Sequence, residues 1–263
     1  MRCLGWAAPC RAVPSVLLLA LMAATCAPCL TACDTCATQR VEIDPSEAAT
    51  LGAGVPADLE VRAQGELTWM DRDGGRHAER VDLKIWMQGS TAVACDVSSL
   101  GSRVAWVGGA KAEWWLFERR EAGMVLTRGV REELDPGSPL AVFLRPGLVR
   151  LVLALTAPDD VPTIDDATRI TWIGPMRDGR PSGLDLHRPG TDVTWHVTWW
   201  GDRPIGSAGS GQGSMPSTIT IDGPAGGCTL WVSQVQPSAG KPAYFDLAAL
   251  RAALRPVEGQ PVP

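Results

Sequence analysis

Four groups of residues in this 263-residue chain have types that do chemistry: eight cysteines, three histidines, two adjacent aspartate pairs and a glycine–serine run. Cys33-Asp-Thr-Cys36 has the CxxC spacing of metal and redox sites. Asp159-Asp160 and Asp165-Asp166 flank Pro162 in a turn-rich stretch. General acid–base work needs two carboxyl groups held across a cleft, so adjacent aspartates there read as a solvated turn. GSAGSGQGS (206–214) lacks the GxSxG spacing of a nucleophile elbow, and HExxH, Walker A and a GxGxxG following a strand are all missing. His77 lies beside an expected hairpin, and His196 shares a strand face with Thr194, Thr198 and Trp200; His187 stands alone. Asp71-Arg72-Asp73-Gly74-Gly75-Arg76 lacks the third ligand and distal Glu of a calcium loop. The expectation is a binding protein rather than an enzyme, with no catalytic residues, no cofactor and no metal.

A formal charge of −5 without any long basic run excludes a nucleic-acid partner. With 45% hydrophobic residues the chain can build a sizeable core. Eleven Trp stand against one Tyr and three Phe, so Trp carries most of the aromatic burial.

The N-terminus has the layout of an export signal. Arg2 and Arg11 precede VLLLALMAA (16–24), and Leu30-Thr31-Ala32-Cys33 follows. That tetrapeptide resembles the bacterial lipobox, in which a small residue precedes an invariant Cys. The resemblance implies a diacylglyceryl thioether on Cys33 and cleavage before it. Cys26 follows Thr25 and Cys29 follows Pro28, which fit less well. The alternative is an uncleaved anchor, because Ala12 to Ala32 carries no charge and a span needs about 20 residues. Both readings tether the folded part to a membrane in the cell envelope, facing the periplasm or exterior. The expected organisation is a signal peptide (1–32), a tether (33–52), one β-rich domain (53–255) and a tail (256–263). Cleavage leaves Cys33, Cys36, Cys95 and Cys228, and the last two form either a disulfide or a pair of buried thiols.

The elements that position these groups are mostly strands. LEVRA (59–63), GELTWMD (65–71), ERVDLKIWM (79–87), TAVACDV (91–97), RVAWVG (103–108), AEWWLFE (112–118) and MVLTRGV (124–130) recur between turn signals. In the third, Val81, Leu83, Ile85 and Met87 alternate with Asp82, Lys84, Trp86 and Gln88, giving one apolar face. Pro146 is placed to open a helix through LVRLVLAL (148–155), apolar on every side except Arg150. Strands resume at 169–174, 192–200, 217–222 and 228–236, and a short helix is expected over 247–254. One interior helix against a long sheet suggests a mainly β fold: a curved antiparallel sheet or half-open barrel with one or two helices on its concave side.

The order of these parts carries a resemblance. Hairpin-linked strands, AWVGGAKAEWWLFE (105–118), LRPGLVRLVLAL (144–155), then MPSTITIDGP (215–224), CTLWVSQVQ (228–236) and AYFDL (243–247) together resemble the LolA/LolB-like outer-membrane lipoprotein-sorting superfamily. The resemblance spans about Ala53 to Leu247. It implies a half-open barrel with helices in its hollow and an apolar cavity that binds the acyl chain of a lipid or lipoprotein. Trp86, Trp106, Trp115, Leu148, Leu151 and Val152 are the candidate lining residues, taken from the expected inward faces and the helix. The contrasting expectation is a structural or interaction lipoprotein in which the same helix fills the barrel completely.

Overall fold

The structure is a computed structural model that describes residues 41–44, 46, 51–70, 74–110, 112–121, 123–133, 144–156, 169–176, 180–187, 192–207, 211–224 and 226–258. The expected signal peptide, Cys33, Cys36 and the two aspartate pairs lie outside the described residues.

The chain is mainly β. Its first half supplies β1 (Val41–Glu42), β2 (Asp58–Met70), β3 (Arg76–Gln88), β4 (Ala92–Ser99), β5 (Ser102–Ala110), β6 (Glu113–Arg120) and β7 (Gly123–Val130). Helix α1 (Pro146–Val152) follows, then β8 (Arg169–Gly174), β9 (Gly183–His187), β10 (Thr194–Trp200), β11 (Arg203–Pro204), β12 (Ser214–Met215), β13 (Thr218–Gly223) and β14 (Gly226–Pro237). Helix α2 (Leu247–Leu254) and β15 (Val257–Glu258) end it. Thirteen strands form one curved sheet in the order β1-β8-β9-β10-β13-β14-β2-β3-β4-β5-β6-β7-β15, and the two outer strands do not meet. Every described pairing in it is antiparallel except β15 on β7. This is the expected half-open barrel.

Alternation gives the sheet two chemically distinct faces. On β3, Val81, Leu83 and Ile85 are buried while Asp82 and Lys84 are exposed. The same parity continues along the register through Leu59, Val61 and Ala63 on β2 and Val93 on β4. On β14 a bulge at Ser233 shifts the register between Val232 and Gln234, so Val232 and Val235 both reach the interior. The concave core is completed by Trp172, Leu184, Leu186, Trp195, Val197 and Trp199 from β8 to β10.

The convex face has its own cover over β3 to β7. Trp86, Ala94, Trp106, Trp115, Phe117 and Leu126 pack there against Leu250 of α2 and against Tyr244 and Phe245 before it. Helix α2 starts at Asp246, whose carboxylate accepts from the Ala248 and Ala249 N–H groups at 2.8 and 3.3 Å, a standard N-cap. Two indoles lie over cross-strand glycines, Trp115 over Gly108 and Trp114 over Gly129. An added Cβ would come within 2.8 and 2.9 Å of the respective ring nitrogens. Those two glycines are needed for close approach, not for turns.

Several boundaries differ from the sequence expectation, including the helix expected through Leu155, which ends at Val152. LEVRA and GELTWMD are one continuous strand, because Gly65 packs its backbone against Leu83, Val81 and Leu230 rather than breaking the ladder. Val41 and Glu42, expected in the tether, pair with Gly174 and Ile173. Val257 and Glu258, expected in the tail, pair with Val125 and Leu126. β9 lies between the strands expected at 169–174 and 192–200, where no strand is expected.

Candidate functional site: the concave interior

Helix α1 fills the hollow of the sheet. Arg145 offers no side-chain cap, and Pro146 opens the helix, its ring fixing the first φ where a free N–H is not required. From Leu148 to Val152 every residue is buried, so the helix has no water-facing side. Such a segment is stable only when apolar surface surrounds it. Leu151 has no exposed surface, and Leu148 and Val152 retain 3% each.

The one charge on α1 is disposed of locally. Arg150 donates to the carbonyl oxygens of Ala57 at 2.9 Å, Pro56 at 3.3 Å and Leu155 at 3.3 Å. Burial lowers its pKa, and the nearby Asp58 charge opposes that shift. The guanidinium thus ties α1 to the start of β2 through backbone acceptors. At its other end α1 is held by β10, where the buried Trp199 indole donates to the Val152 carbonyl at 2.8 Å. Trp172 stands beside Trp199, with ring centroids 6.3 Å apart.

Cys95 and Cys228 pack against the same interior core, and both are free thiols. Burial raises both thiol pKa values. Cys95 also feels the charge of Asp96 and then of Cys228, and Cys228 is pushed up to about 12 by burial and then Asp222. Neutral thiols of this kind behave as small apolar residues, not nucleophiles.

The six lining candidates divide between the two faces. Leu148, Leu151 and Val152 belong to the interior core, whereas Trp86, Trp106 and Trp115 belong to the convex cluster under α2. Register explains the division: Trp86 faces Ala94, Ala94 faces Gly108 and Gly108 faces Trp115, which places all of them on one side. Trp106 opposes Phe117 on that same side. Trp86 and Trp106 stack at 5.4 Å, and Trp86 donates to Glu60 at 3.2 Å. The interior indoles are instead Trp172, Trp195 and Trp199. The sequence held a usable signal for two of them, since in DVTWHVTWW the parity opposite His196 and Trp200 belongs to Trp195, Val197 and Trp199.

The histidines lie elsewhere. His196 is half-exposed with Nδ1 at 2.8 Å from Asp185, His77 stacks on Trp69 at 5.4 Å, and His187 Nδ1 is 3.1 Å from the Thr194 hydroxyl. No helix among the described residues is long and apolar enough to cross a membrane.

A strongly curved open sheet with a helix lodged in its hollow defines a class of fold, and solved structures share it. A domain described as an outer membrane lipoprotein-sorting protein, from Vibrio parahaemolyticus, superposes with a TM-score of 0.52 at 9% identity, covering 79% of this chain and 97% of that one. Looser likenesses are a LolA superfamily protein from Nitrosomonas europaea (TM-score 0.44, 9% identity, 77% and 96% covered) and a DUF1329 family protein from Desulfovibrio piger (0.43, 10%, 78% and 94%). The chain therefore shares the fold of the Vibrio domain, a mainly β open curved sheet with helices. No protein-family model and no curated protein matches its sequence.

Proposed function

We propose that this protein is an envelope lipoprotein, exported by residues 1–32 and anchored through Cys33, whose concave interior receives an acyl chain of a lipid or of another lipoprotein. The reading is one of binding, not catalysis. The observation that carries it is the continuous apolar interior, closed by a seven-residue helix with no exposed side. Each methylene moved from water onto such a surface contributes about 0.8 kcal/mol. A chain of a dozen or more carbons therefore competes well with the few side chains that α1 inserts.

Leu148, Leu151 and Val152 are the residues an incoming chain would replace. Their contacts are nondirectional and exchange readily for methylenes. Two directional attachments, Arg150 to the carbonyls of Pro56, Ala57 and Leu155 and Trp199 to Val152, keep the helix tied to the sheet during that exchange. Because the interior is already packed, the contrasting reading of a filled scaffold has its own support in the complete burial of Leu151.

Native mass spectrometry with lipid extraction separates the two. The thioether-linked lipid on Cys33 survives extraction, so any acyl lipid released comes from non-covalent sites. Release of acyl lipid, and its rebinding by the delipidated protein, supports the carrier. A mass unchanged by extraction and by incubation with fatty acid or lysolipid contradicts it.

A further inference from the structure

The outer face of the same sheet carries a second arrangement, remote from α1. Trp200 on β10 opposes Thr218 on β13, and Thr218 opposes Trp231 on β14. The row continues through Gln64 on β2, Asp82 on β3 and Ser98 on β4. Cross-strand partners share a face, so these six side chains form one line perpendicular to six adjacent strands. Their chain neighbours Trp199, Ile219, Leu230 and Val232 point the other way, into the core.

Two features set this line apart. Trp200 and Trp231 are 46% and 41% exposed, two large aromatic side chains on one line of the same face. They stand two inter-strand steps apart, each about 4.8 Å. Beyond Trp231 the line drops into a groove of about 690 Å³ lined by Gln64, Asp82, Lys84, Asp96, Ser98 and Arg203, among others. Arg203, one of the lining residues, also has a buried Nε without a hydrogen-bond partner among the described residues. Next to the aromatic pair, Thr198, Thr220 and Thr229 form a parallel row of hydroxyls.

We propose that this outer row binds an extended 1,4-linked glycan strand lying across the strands. Two indoles separated by two strand steps match the length of one disaccharide repeat of such a chain. Each can stack on the C–H face of every second ring. The planar amide of Gln64 and carboxylate of Asp82 suit pairs of ring hydroxyls, and Lys84 and Arg203 suit carboxylate or acetamido oxygens on the sugar. A lipid tail or apolar peptide in this groove would strip water from Gln64, Asp82 and Lys84 without replacing their hydrogen bonds, which costs several kcal/mol. The site is independent of acyl-chain binding, being on the opposite face.

The test uses the full chain purified in detergent, with chitohexaose as soluble probe and protein-free peptidoglycan sacculi as insoluble one. The intact protein is expected to bind chitohexaose with a change in tryptophan emission and to sediment with sacculi, with chitohexaose competing. Trp200→Ala and Trp231→Ala should each weaken binding roughly tenfold, the scale of one lost aromatic contact. Val257→Ala, exposed at the far sheet edge, should leave it unchanged. Circular dichroism confirms that each variant is folded. Failure of the folded wild type to bind either probe, or wild-type binding by the Trp200→Ala/Trp231→Ala double variant, would overturn the proposal. So would a drop in association with phosphatidylethanolamine–phosphatidylglycerol vesicles on the double substitution with sacculus binding unchanged, which would assign the pair to a lipid surface.

Discussion

The two faces of this sheet are closed by helices of similar length and opposite character. Helix α1, on the concave side, is buried all round and lacks a side-chain cap. Helix α2, on the convex side, is capped by Asp246 and buries only Leu250 fully. Beneath α2 lies a layer fixed by directional contacts. Trp86, Trp106 and Tyr244 pack ring to ring, Arg103 sits 4.9 Å above Trp106 and pairs with Asp96 through two 2.7 Å bonds, and Glu60 takes bonds from Trp86 and Arg62. Beneath α1 most contacts are aliphatic. Aromatic and ionic geometry specifies one arrangement, whereas aliphatic contacts tolerate exchange. On the acyl-chain reading proposed above, the convex layer is the fixed structure and the concave filling is the part that a ligand would replace.

Thiol chemistry offers the widest contrast. Because burial raises the pKa of Cys95 and Cys228, their reaction with iodoacetamide at pH 8 should be slower in the native protein than in denaturant by orders of magnitude. Native labelling at the denatured rate, followed by mass spectrometry, would show that the interior is open to water.

Truncations compare the fillings directly. Phe117→Ala, in the convex layer, should cost about 3–5 kcal/mol in denaturant titration. If the interior accepts an acyl chain as proposed, it also relaxes around a lost side chain, so Leu151→Ala should cost about 2–3 kcal/mol, the low end of the usual range. Equal costs would make α1 as fixed as the convex layer.

Acid should act through the convex side. Burial alone would raise the Glu60 carboxyl, but bonds from Arg62 and Trp86 and the charges of Arg62 and Lys241 hold it below its ordinary 4.5. A depressed carboxylate contributes stability that is complete above the ordinary value and lost as pH falls through the lower folded one. Glu60→Gln should therefore reduce stability near neutral pH by about 1–3 kcal/mol and flatten the acid limb. An unchanged acid limb would remove Glu60 from the account.

Trp199→Phe is the smallest expected change. Loss of one indole bond to Val152 should cost about 1 kcal/mol while speeding amide exchange in α1. Exchange unchanged in α1 would show that this bond does not restrain the helix.

Much of this was legible in the sequence, for reasons that also explain the misses. The strand at 169–174 and the helix at 247–254 were readable to the residue, since alternation in RITWIG and the Asp246 cap are local signals. β9 was not, because GLDLH is short, sits between Pro181 and Pro189, and owes its strand geometry to pairing with β8 and β10. The two-residue edges β1 and β15 have no pattern of their own. At the site, parity separates Trp86 from Ile85 and Met87, but parity cannot say which side faces the hollow when both are covered. The placement of Trp86, Trp106 and Trp115 follows from register and from the docking of α2, both long-range. Arg150 was visible only as an interruption in an apolar helix, and two of its three carbonyl partners, Pro56 and Ala57, are 94 and 93 residues away.

The most direct test is photolabelling with a diazirine-bearing palmitate, read by peptide mapping. Label is expected to concentrate on Leu148–Val152 and on the inward faces of β8 to β10, and excess palmitate to remove it. Label confined to the convex side around Trp86, Trp106 and Trp115, or spread without competition, would contradict a concave acyl-chain site.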